Sequence, residues 1–254
     1  MDITHNVILI TGGGSGIGRG LAEAFHALGN QVIIAGRRPQ ALEDTVLANP
    51  GMVSYVVDLQ QPAALRAFAD KLTRDFPALN VLINNSGIMR PEDLLVQSDD
   101  LADMEAIVAT NLLGPLRLTA ALLPQLRKQP RSVVMNVSSG LAFVPMAVTP
   151  TYCATKAALH SYTQSLRYQL KGSTTQVLEL IPPYVATELM NGASDPRAMP
   201  LAAFLAEILE ILKTQPHVTE ICVEPVKRLR FAAETGAYET LFQGFNDAMT
   251  AHPH

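Results

Sequence analysis

The stretch Val7-Ile-Leu-Ile-Thr-Gly-Gly-Gly-Ser-Gly-Ile-Gly18 decides the fold. It opens with a short, continuous apolar run, which is typical of a strand buried on both faces. Glycines follow at once, and the next segment, RGLAEAFHALGN, has the apolar spacing of a helix that ends near Gly29. A strand, a glycine-rich turn and a helix N-terminus together bring backbone N–H groups and a positive dipole end to one point, where a phosphate can bind. The stretch therefore predicts a nucleotide-binding α/β domain.

The glycine spacing differs from the usual dinucleotide fingerprint, G-x-G-x-x-G. Here it is Gly12-x-x-x-Gly16-x-Gly18. Gly12 permits the tight turn, Gly16 lets the backbone approach a pyrophosphate, and Gly18 allows close packing of helix on strand. A glycine-rich loop alone is often only a turn, so the prediction depends on the strand before it and the helix after it.

The rest of the chain alternates between strand-like and helix-like segments. We predict a doubly wound, Rossmann-type parallel sheet with helices on both faces, in a single domain over residues 1–254 with a substrate-side segment at about 183–216. The segment between about 99 and 129 is helix-like on both sides of Asn111, and the remainder after the last strand is a tail helix and loop. Further strands are predicted at Gln31–Ala35, Met52–Val57, Asn80–Ile83, Arg131–Val137, Thr175–Ile181 and His217–Val223.

Composition excludes several classes of protein. The chain has 254 residues, 48% of them apolar, and a formal net charge of -4, which gives no reason to expect nucleic acid as a partner. Its cysteines, Cys153 and Cys222, have no metal-binding spacing and do not suggest a disulfide scaffold, and the histidines form no ligand pair at helix spacing. The N-terminus resembles neither a signal peptide nor a membrane span. We therefore expect a cytoplasmic protein with no metal and no membrane partner.

The second strand ends without an acidic residue. In dinucleotide folds an acid near this point holds the adenosine ribose, whereas an arginine accommodates a 2′-phosphate. This chain has Gly36 followed by Arg37 and Arg38, and a guanidinium suits a phosphate. NADP(H) is therefore favoured over NAD(H), although either arginine can equally be a solvated turn residue. After the third strand, Asp58 can accept from an adenine amino group, cap the next helix, or do both.

Tyr152 and Lys156 are the candidate proton-transfer pair. On a helix, positions i and i+4 share a face, so the phenol and the ammonium can point at one spot. A tyrosine pKa is about 10, so half-ionisation at pH 7 requires roughly 4 kcal/mol. A cation about 4 Å away at an effective dielectric near 20 supplies roughly that amount, whereas burial alone raises the pKa of a phenol. Lys156 is therefore the required partner, although Tyr-x3-Lys also occurs by chance in many helices.

Two further polar residues are candidates for the same site. Ser139 follows the fifth strand, at the sheet edge where open α/β folds bind ligands. Asn111 interrupts a long helical stretch, which is unfavourable unless its side chain has a partner. The alternatives are that Ser139 caps a turn and that Asn111 makes an ordinary helix–helix hydrogen bond.

Together these motifs resemble the short-chain dehydrogenase/reductase family in its compact form. The glycine loop, Asn84-Asn85-Ser86-Gly87, Ser139 and Tyr152-x3-Lys156 fall in the family's order, and Ser139 lies 13 residues before Tyr152. Ser86 stands where the family has Ala. Pro183 stands where the family has Gly, and it removes a backbone N–H that could bind a cofactor. The segments IPPYVATEL and YCATKAALHSYTQSL also resemble the DltE-like oxidoreductases of this family.

The resemblance implies roles for individual residues. In the implied catalytic set, Ser139 binds the substrate oxygen, Tyr152 exchanges its proton, Lys156 binds the nicotinamide ribose and tunes Tyr152, and Asn111 holds a proton-relay water. The implied cofactor-binding residues are Gly12, Ser15, Gly16, Ile17, Gly18, Arg37, Arg38, Asp58, Leu59, Asn84, Ser86, Gly87, Tyr152, Lys156, Val185 and Thr187.

The predicted function is hydride transfer between NADP(H) and a small carbonyl or alcohol substrate. The alternatives are a non-catalytic NAD(P)-sensing protein on the same fold, and an epimerase or dehydratase relative, which usually has a longer C-terminal region than the 67 residues after Thr187. Arg90 is the one nearby charge that could meet an anionic substrate. Surplus apolar residues on the helix from Tyr152 to Leu170 suggest a homodimer or homotetramer. An apolar substrate pocket is expected from Ile88, Met89, Leu141, Phe143, Met146, Tyr184, Leu189 and Met190.

Overall fold

The computed structural model describes residues 1–96, 100–189, 192 and 195–250. Among these residues, seven parallel strands form one sheet in the order β3-β2-β1-β4-β5-β6-β7. The order reverses between β1 and β4, which opens a crevice at the carboxyl ends of the strands. The strands are β1 Val7–Thr11, β2 Gln31–Gly36, β3 Val53–Val56, β4 Val81–Asn84, β5 Ser132–Val137, β6 Thr175–Ile181 and β7 Glu220–Cys222.

Helices cover both faces of the sheet. A π-helical turn, Ala109–Leu113, joins α4 to α5, so that the chain is continuously helical from Ala102 to Leu126. The helices are α1 Gly16–Ala27, α2 Pro39–Ala48, α3 Pro62–Asp75, α4 Ala102–Val108, α5 Gly114–Leu126, α6 Pro150–Gln169, α7 Leu201–Thr214, α8 Glu224–Arg230 and α9 Tyr238–Thr250.

The apolar runs are continuous because the sheet is buried on both sides. In β1, Ile8 and Ile10 belong to the layer under α1 and α7, and Leu9 belongs to the layer under α3, α5 and α6. Phe25 of α1 and Phe204 of α7 are fully buried in the first layer. The core is thus a three-layer sandwich that leaves only the strand ends for a site.

The long helix Ala102–Leu126 is long and apolar enough, by length and composition alone, to cross a bilayer. Its α5 part instead packs against the sheet, where Leu118, Leu122 and Leu126 are fully buried. These contacts account for its apolar composition, because a helix buried in a protein core can be as long and as apolar as one that crosses a bilayer.

The predicted fold class, a doubly wound parallel sheet in one domain, is confirmed. β6 has the predicted bounds, and β7 is shorter than predicted. Helix α2 was not predicted, because its sequence, PQALEDTVLA, has only a weak apolar stripe. The predicted helix start at Asp99 lies outside the described residues, and α4 begins at Ala102.

Candidate active site

A cleft of about 950 Å³ opens at the carboxyl ends of the strands. The glycine loop forms one wall, and the residues after β5 and β6 form the opposite wall. Fourteen of the predicted cofactor residues line it: Gly12, Ser15, Gly16, Ile17, Arg37, Arg38, Asp58, Leu59, Ser86, Gly87, Tyr152, Lys156, Val185 and Thr187.

The glycine loop folds as its spacing predicts. Gly12 and Gly16 have φ values of 71° and 53°, in the left-handed region that favours glycine. A Cβ on Gly18 would lie 2.3 Å from the Gly12 carbonyl oxygen and 2.3 Å from Asn85 Nδ2, so only glycine allows α1 to begin this close to the loop. Gly18 acts through this packing, and it is not among the described residues that line the cleft.

The two arginines after β2 have different surroundings. Arg38 donates to Ser15 Oγ in the glycine loop and pairs with Glu188 Oε2 at 3.3 Å. Arg37 lines the cleft and forms no ion pair with any of the described residues. The cleft therefore has one guanidinium fixed across its opening and a second that is available to an anion.

The predicted contact of Asn84 with a cofactor is wrong for its side chain. Asn84 is 2% exposed, and its Nδ2 donates to Thr119 Oγ1 at 3.0 Å and Asn136 Oδ1 at 2.8 Å. As the last residue of β4 it faces the helix layer, and Asn85, one residue on, faces the cleft. Asn85 is held there because its Nδ2 donates to the Thr11 carbonyl oxygen at 2.9 Å.

Ser139, Tyr152 and Lys156 meet at the end of β5, where all three line the cleft. Ser139 Oγ accepts from Leu141 N at 3.1 Å and so also caps the 3-10 turn Gly140–Ala142, the alternative role considered for it. Lys156 Nζ donates to the Val137 carbonyl oxygen at 2.8 Å and lies 5.6 Å from the centre of the Tyr152 ring.

The ionisation of this pair differs from the sequence expectation. Burial raises the pKa of Tyr152 to about 12, while the Ser139 side chain acts in the opposite direction. Burial also lowers the pKa of Lys156 to about 8, with Glu179 opposing the shift. Lys156 Nζ, which the sequence analysis expected to lower the phenol pKa, is directed to the Val137 carbonyl oxygen.

Asn111 lies in the π-helical turn and is fully buried. Its Oδ1 accepts from Ile88 N at 2.9 Å, and its Nδ2 donates to the Ile88 carbonyl oxygen at 2.9 Å and to Thr155 Oγ1 at 3.3 Å. The side chain therefore joins the π-helical turn to the segment after β4 and to α6. These hydrogen bonds position Ile88. The predicted role of Asn111, holding a proton-relay water, stays a prediction, because Oδ1 has room to accept one more hydrogen bond.

Asp58 lines the cleft, and its Oδ1 accepts from Gln60 N at 3.0 Å in the turn before α3. It does not cap that helix, whose N-cap residue is Gln61. Thr187 lies against the glycine loop, and a Cβ on Gly16 would be 3.4 Å from it. Pro183 lines the cleft without an N–H to donate. The segment around it is held instead by Val185, which is buried and bridges to Met199.

The substrate end of the cleft includes residues that the sequence analysis missed. Five of them come from the C-terminal helices: Pro225, Arg228 and Leu229 of α8, and Phe245 and Ala248 of α9. Their spacing of three or four residues, which places them on one helix face, was a usable signal. Of the predicted apolar residues, Met190 lies outside the described residues and Phe143 packs against the core; Ile88, Met89, Leu141, Met146, Tyr184 and Leu189 line the cleft.

Arg90, the predicted charge near the substrate, pairs with Asp103 of α4 and does not line the cleft. Arg197 and Arg228 do line the cleft, and Arg197 is paired with Asp195.

Comparison with known proteins identifies the family. The family model described as short chain dehydrogenase matches residues 6–198, which is most of the chain. The chain belongs to the short chain dehydrogenase family. The family and its oxidoreductase relatives support an oxidoreductase.

A curated relative of this short chain dehydrogenase is "Uncharacterized oxidoreductase DltE" of Bacillus subtilis (strain 168). It is 37% identical over 251 residues, which are 97% of this chain and 98% of the relative. The resemblance to DltE-like oxidoreductases is therefore confirmed over nearly the whole length.

Solved structures of similar fold hold two different cofactors. A 3-ketoacyl-(acyl-carrier-protein) reductase from Brucella melitensis, complexed with NADH, is 26% identical, has a TM-score of 0.76, and is matched over 86% of this chain and 96% of its own. A short-chain dehydrogenase from Sphingobium yanoikuyae, in complex with NADPH, is 26% identical and has a TM-score of 0.77. The match covers 94% of this chain and 95% of that one.

The cleft of this short chain dehydrogenase suits a nicotinamide dinucleotide. The glycine loop has the close backbone approach that a pyrophosphate needs, because Gly16 stands open to the cleft at a φ that only glycine adopts freely. Arg37, Arg38, Lys156 and Thr187 line the same cleft.

Proposed function

We propose that the protein is an NADP(H)-dependent oxidoreductase that transfers hydride between nicotinamide and a small carbonyl or alcohol substrate. The observation that carries this proposal is the meeting of Ser139, Tyr152 and Lys156 in the same cleft as the glycine loop. A non-catalytic nucleotide-binding protein has no need of a buried phenol and a buried ammonium side by side. Burying either without a use costs stability.

The bound cofactor supplies the hydride chemistry, and the protein supplies orientation and the proton. Tyr152 Oη holds its proton at neutral pH, because burial raises the pKa of the phenol. It is therefore ready to protonate the oxygen of a carbonyl as negative charge develops there. Ser139 Oγ orients that oxygen and donates to it. Lys156, with a pKa of about 8, remains mostly charged at pH 7 and is able to bind ribose hydroxyls.

The preference for NADP(H) is supported by the end of β2. Gly36 provides no carboxylate for a ribose 2′-hydroxyl, and Arg37 is an available partner for a 2′-phosphate. The solved structures of relatives include one with NADH and one with NADPH, so the preference depends on these residues of this chain.

The substrate that fits best has an apolar body and an anionic group. Leu141, Met146, Leu229 and Phe245 supply apolar walls near the proton donor. Arg228 is the cation of this end, and it forms no ion pair within the part of the chain that the structure describes. Helix α8 lies close to the reacting groups, since a Cβ on Gly140 would be 2.9 Å from Leu229 Cδ1. We therefore assign Arg228 to a carboxylate or phosphate on the substrate.

The proposal also covers the setting in which the enzyme works. We assign it to the cytoplasm, as a homodimer or homotetramer, with small-molecule substrates and without a nucleic-acid or membrane partner. The support is the mildly acidic composition and the two free cysteines, of which Cys153 is buried. The segment of about 183–216, which includes α7, is assigned to the substrate side of the domain.

The test is NADPH consumption with a panel of aldehydes, ketones and keto acids, together with product analysis. Alcohol products and oxidised cofactor in equal amounts support the proposal. Tight NADPH binding without turnover on any carbonyl compound would instead favour the nucleotide-sensing alternative. Isomerised or dehydrated products without net cofactor consumption would favour an epimerase or dehydratase.

A further inference from the structure

A buried carboxylate lies directly behind the proposed catalytic residues. Glu179, in the middle of β6, is 0% exposed. Its Oε1 accepts from Ser138 Oγ at 2.6 Å, and His160 Nδ1 lies 2.8 Å from Oε2 and 3.0 Å from Oε1. Glu179 does not line the cleft, so it contacts neither substrate nor cofactor. A buried carboxylate is costly unless it is paired and hydrogen-bonded, so its presence calls for a role.

His160 is fixed in one orientation. Its Nε2 lies 2.9 Å from Gln164 Nε2, and its ring contacts Phe143 edge-on with 4.7 Å between centroids. Because an amide nitrogen donates, Nε2 accepts and the ring proton lies on Nδ1, where it is donated to Glu179.

Glu179 also belongs to a cluster of possible metal ligands, one of which is paired with an arginine. His160, Glu179 and Glu220 offer ligand atoms within 4.8 Å of one another. Arg230 already neutralises Glu220, with Nε 2.7 Å from Oε2 and Nη2 3.2 Å from Oε1. The titratable and charged groups around Glu179 are Lys156, His160, Glu220, Cys222 and Arg230.

Glu179 connects the two elements that carry the site. On the strand side it binds Ser138, the residue before Ser139. On the helix side it binds His160, which lies one turn after Lys156 on α6. The carboxylate also favours the charged form of Lys156, whose pKa is otherwise lowered by burial. Glu179 thus acts on Ser139 through the neighbouring Ser138, and on Lys156 through its negative charge and through His160.

We propose that Glu179 and His160 are positioning residues of the active site, which hold the Ser138–Ser139 turn to α6 and set a fixed negative charge behind Lys156. This role rests on the proposed function of Ser139 and Lys156. It differs from a purely structural role because the charge of Glu179, as well as its hydrogen bonds, matters to the site.

The test separates charge from shape. Glu179→Gln keeps the volume and an acceptor for Ser138 but removes the charge, so Lys156 should lose its proton at lower pH. NADPH binding, followed by the fluorescence of the reduced nicotinamide between pH 6 and 10, should weaken with a midpoint about one pH unit below that of the unchanged protein. Glu220→Gln removes the same charge one strand away, where the partner is Arg230, and should leave the midpoint unchanged.

His160 provides a second pair of variants in case Glu179→Gln does not fold. His160→Asn retains a donor toward Glu179 and should restore most of the turnover that His160→Ala loses, about tenfold or more. Unchanged pH dependence of NADPH binding in Glu179→Gln, or equal turnover in His160→Ala and the unchanged protein, would overturn the inference. Failure of the proposed function looks different: the unchanged protein would bind NADPH with a midpoint near pH 8 but turn over no carbonyl compound.

Discussion

At the scale of single residues, one hydroxyl carries the proposed proton transfer. Tyr152→Phe removes that hydroxyl and keeps the ring that packs beside Cys153 in the small apolar cluster of the site. We expect turnover with NADPH to fall at least about a hundredfold, the range of a positioned acid or base. NADPH affinity, measured by fluorescence titration, should remain close to that of the unchanged protein. Retained turnover would remove Tyr152 from the mechanism.

Cofactor choice is also decided by single side chains. Arg37 lines the cleft without an ion partner among the described residues, and a charge-assisted contact is worth about 1.5–3 kcal/mol. We expect NADPH to bind roughly ten- to a hundredfold more tightly than NADH at low salt, and the difference to shrink as salt is added. Arg37→Ala should remove most of this preference for NADPH, and Gly36→Asp should reverse the preference.

Arg38 supplies the matched control for that measurement. Its guanidinium is already shared between Ser15 and Glu188, so Arg38→Ala should change the ratio of NADPH to NADH affinity less than Arg37→Ala does. Equal binding of NADH and NADPH by the unchanged protein at low salt would contradict the assignment of Arg37.

At the scale of elements, α8 is the segment that should set substrate charge. The test uses three methyl ketones that share one apolar chain and differ only at its end, which is a carboxylate, a methyl ester or a primary amide. Arg228→Gln should raise KM for the carboxylate about tenfold or more and leave KM for the ester and amide nearly unchanged. Lys227→Gln is the control, because Lys227 sits beside it on α8, pairs with Glu224, and does not line the cleft.

Two results would count against this assignment. One is an unchanged protein that prefers the ester or the amide to the carboxylate. The other is an equal rise of KM for all three compounds in Arg228→Gln, which would indicate a packing effect of α8 on the turn at Gly140.

Elements differ in how far the sequence predicts them. The sheet was predictable because most strands contain a short apolar run; in β1 and β4 that run ends in a polar residue at the carboxyl end. The pairing of Tyr152 with Lys156 was predictable because both lie on one helix. The exchange of roles between Asn84 and Asn85 was not, since it depends on which face the last residue of β4 presents. Glu179 left a signal, a lone acid inside the apolar strand QVLELI, whose partners only the fold could identify.

At the scale of the whole molecule, α6 offers a surface for a second copy of the chain. Leu159, Leu166 and Leu170, which the sequence suggested as surplus apolar residues, are buried in the chain's own core. The exposed side chains of α6 are all uncharged, and Tyr168 among them is 79% exposed: Ala154, Ala157, Ser161, Gln164, Ser165, Tyr168 and Gln169. Such a face allows two helices to approach closely.

We expect light scattering at micromolar concentration to give the mass of a dimer or tetramer. Ala157→Arg combined with Ser161→Arg should shift that mass toward the monomer, because two guanidinium groups would face their copies across a two-fold axis. Gln40→Arg, on the exposed side of α2, should have no effect. A monomeric mass for the unchanged protein would rule out this interface.

The cleft takes its two halves from different parts of the chain. The region shared with the family ends at residue 198, and it contains the glycine loop and all four catalytic candidates, Asn111, Ser139, Tyr152 and Lys156. Pro225, Arg228, Leu229, Phe245 and Ala248 lie beyond it, yet they line the same cleft. A library of variants confined to residues 225–248 should therefore change which substrates are accepted without replacing Ser139, Tyr152 or Lys156.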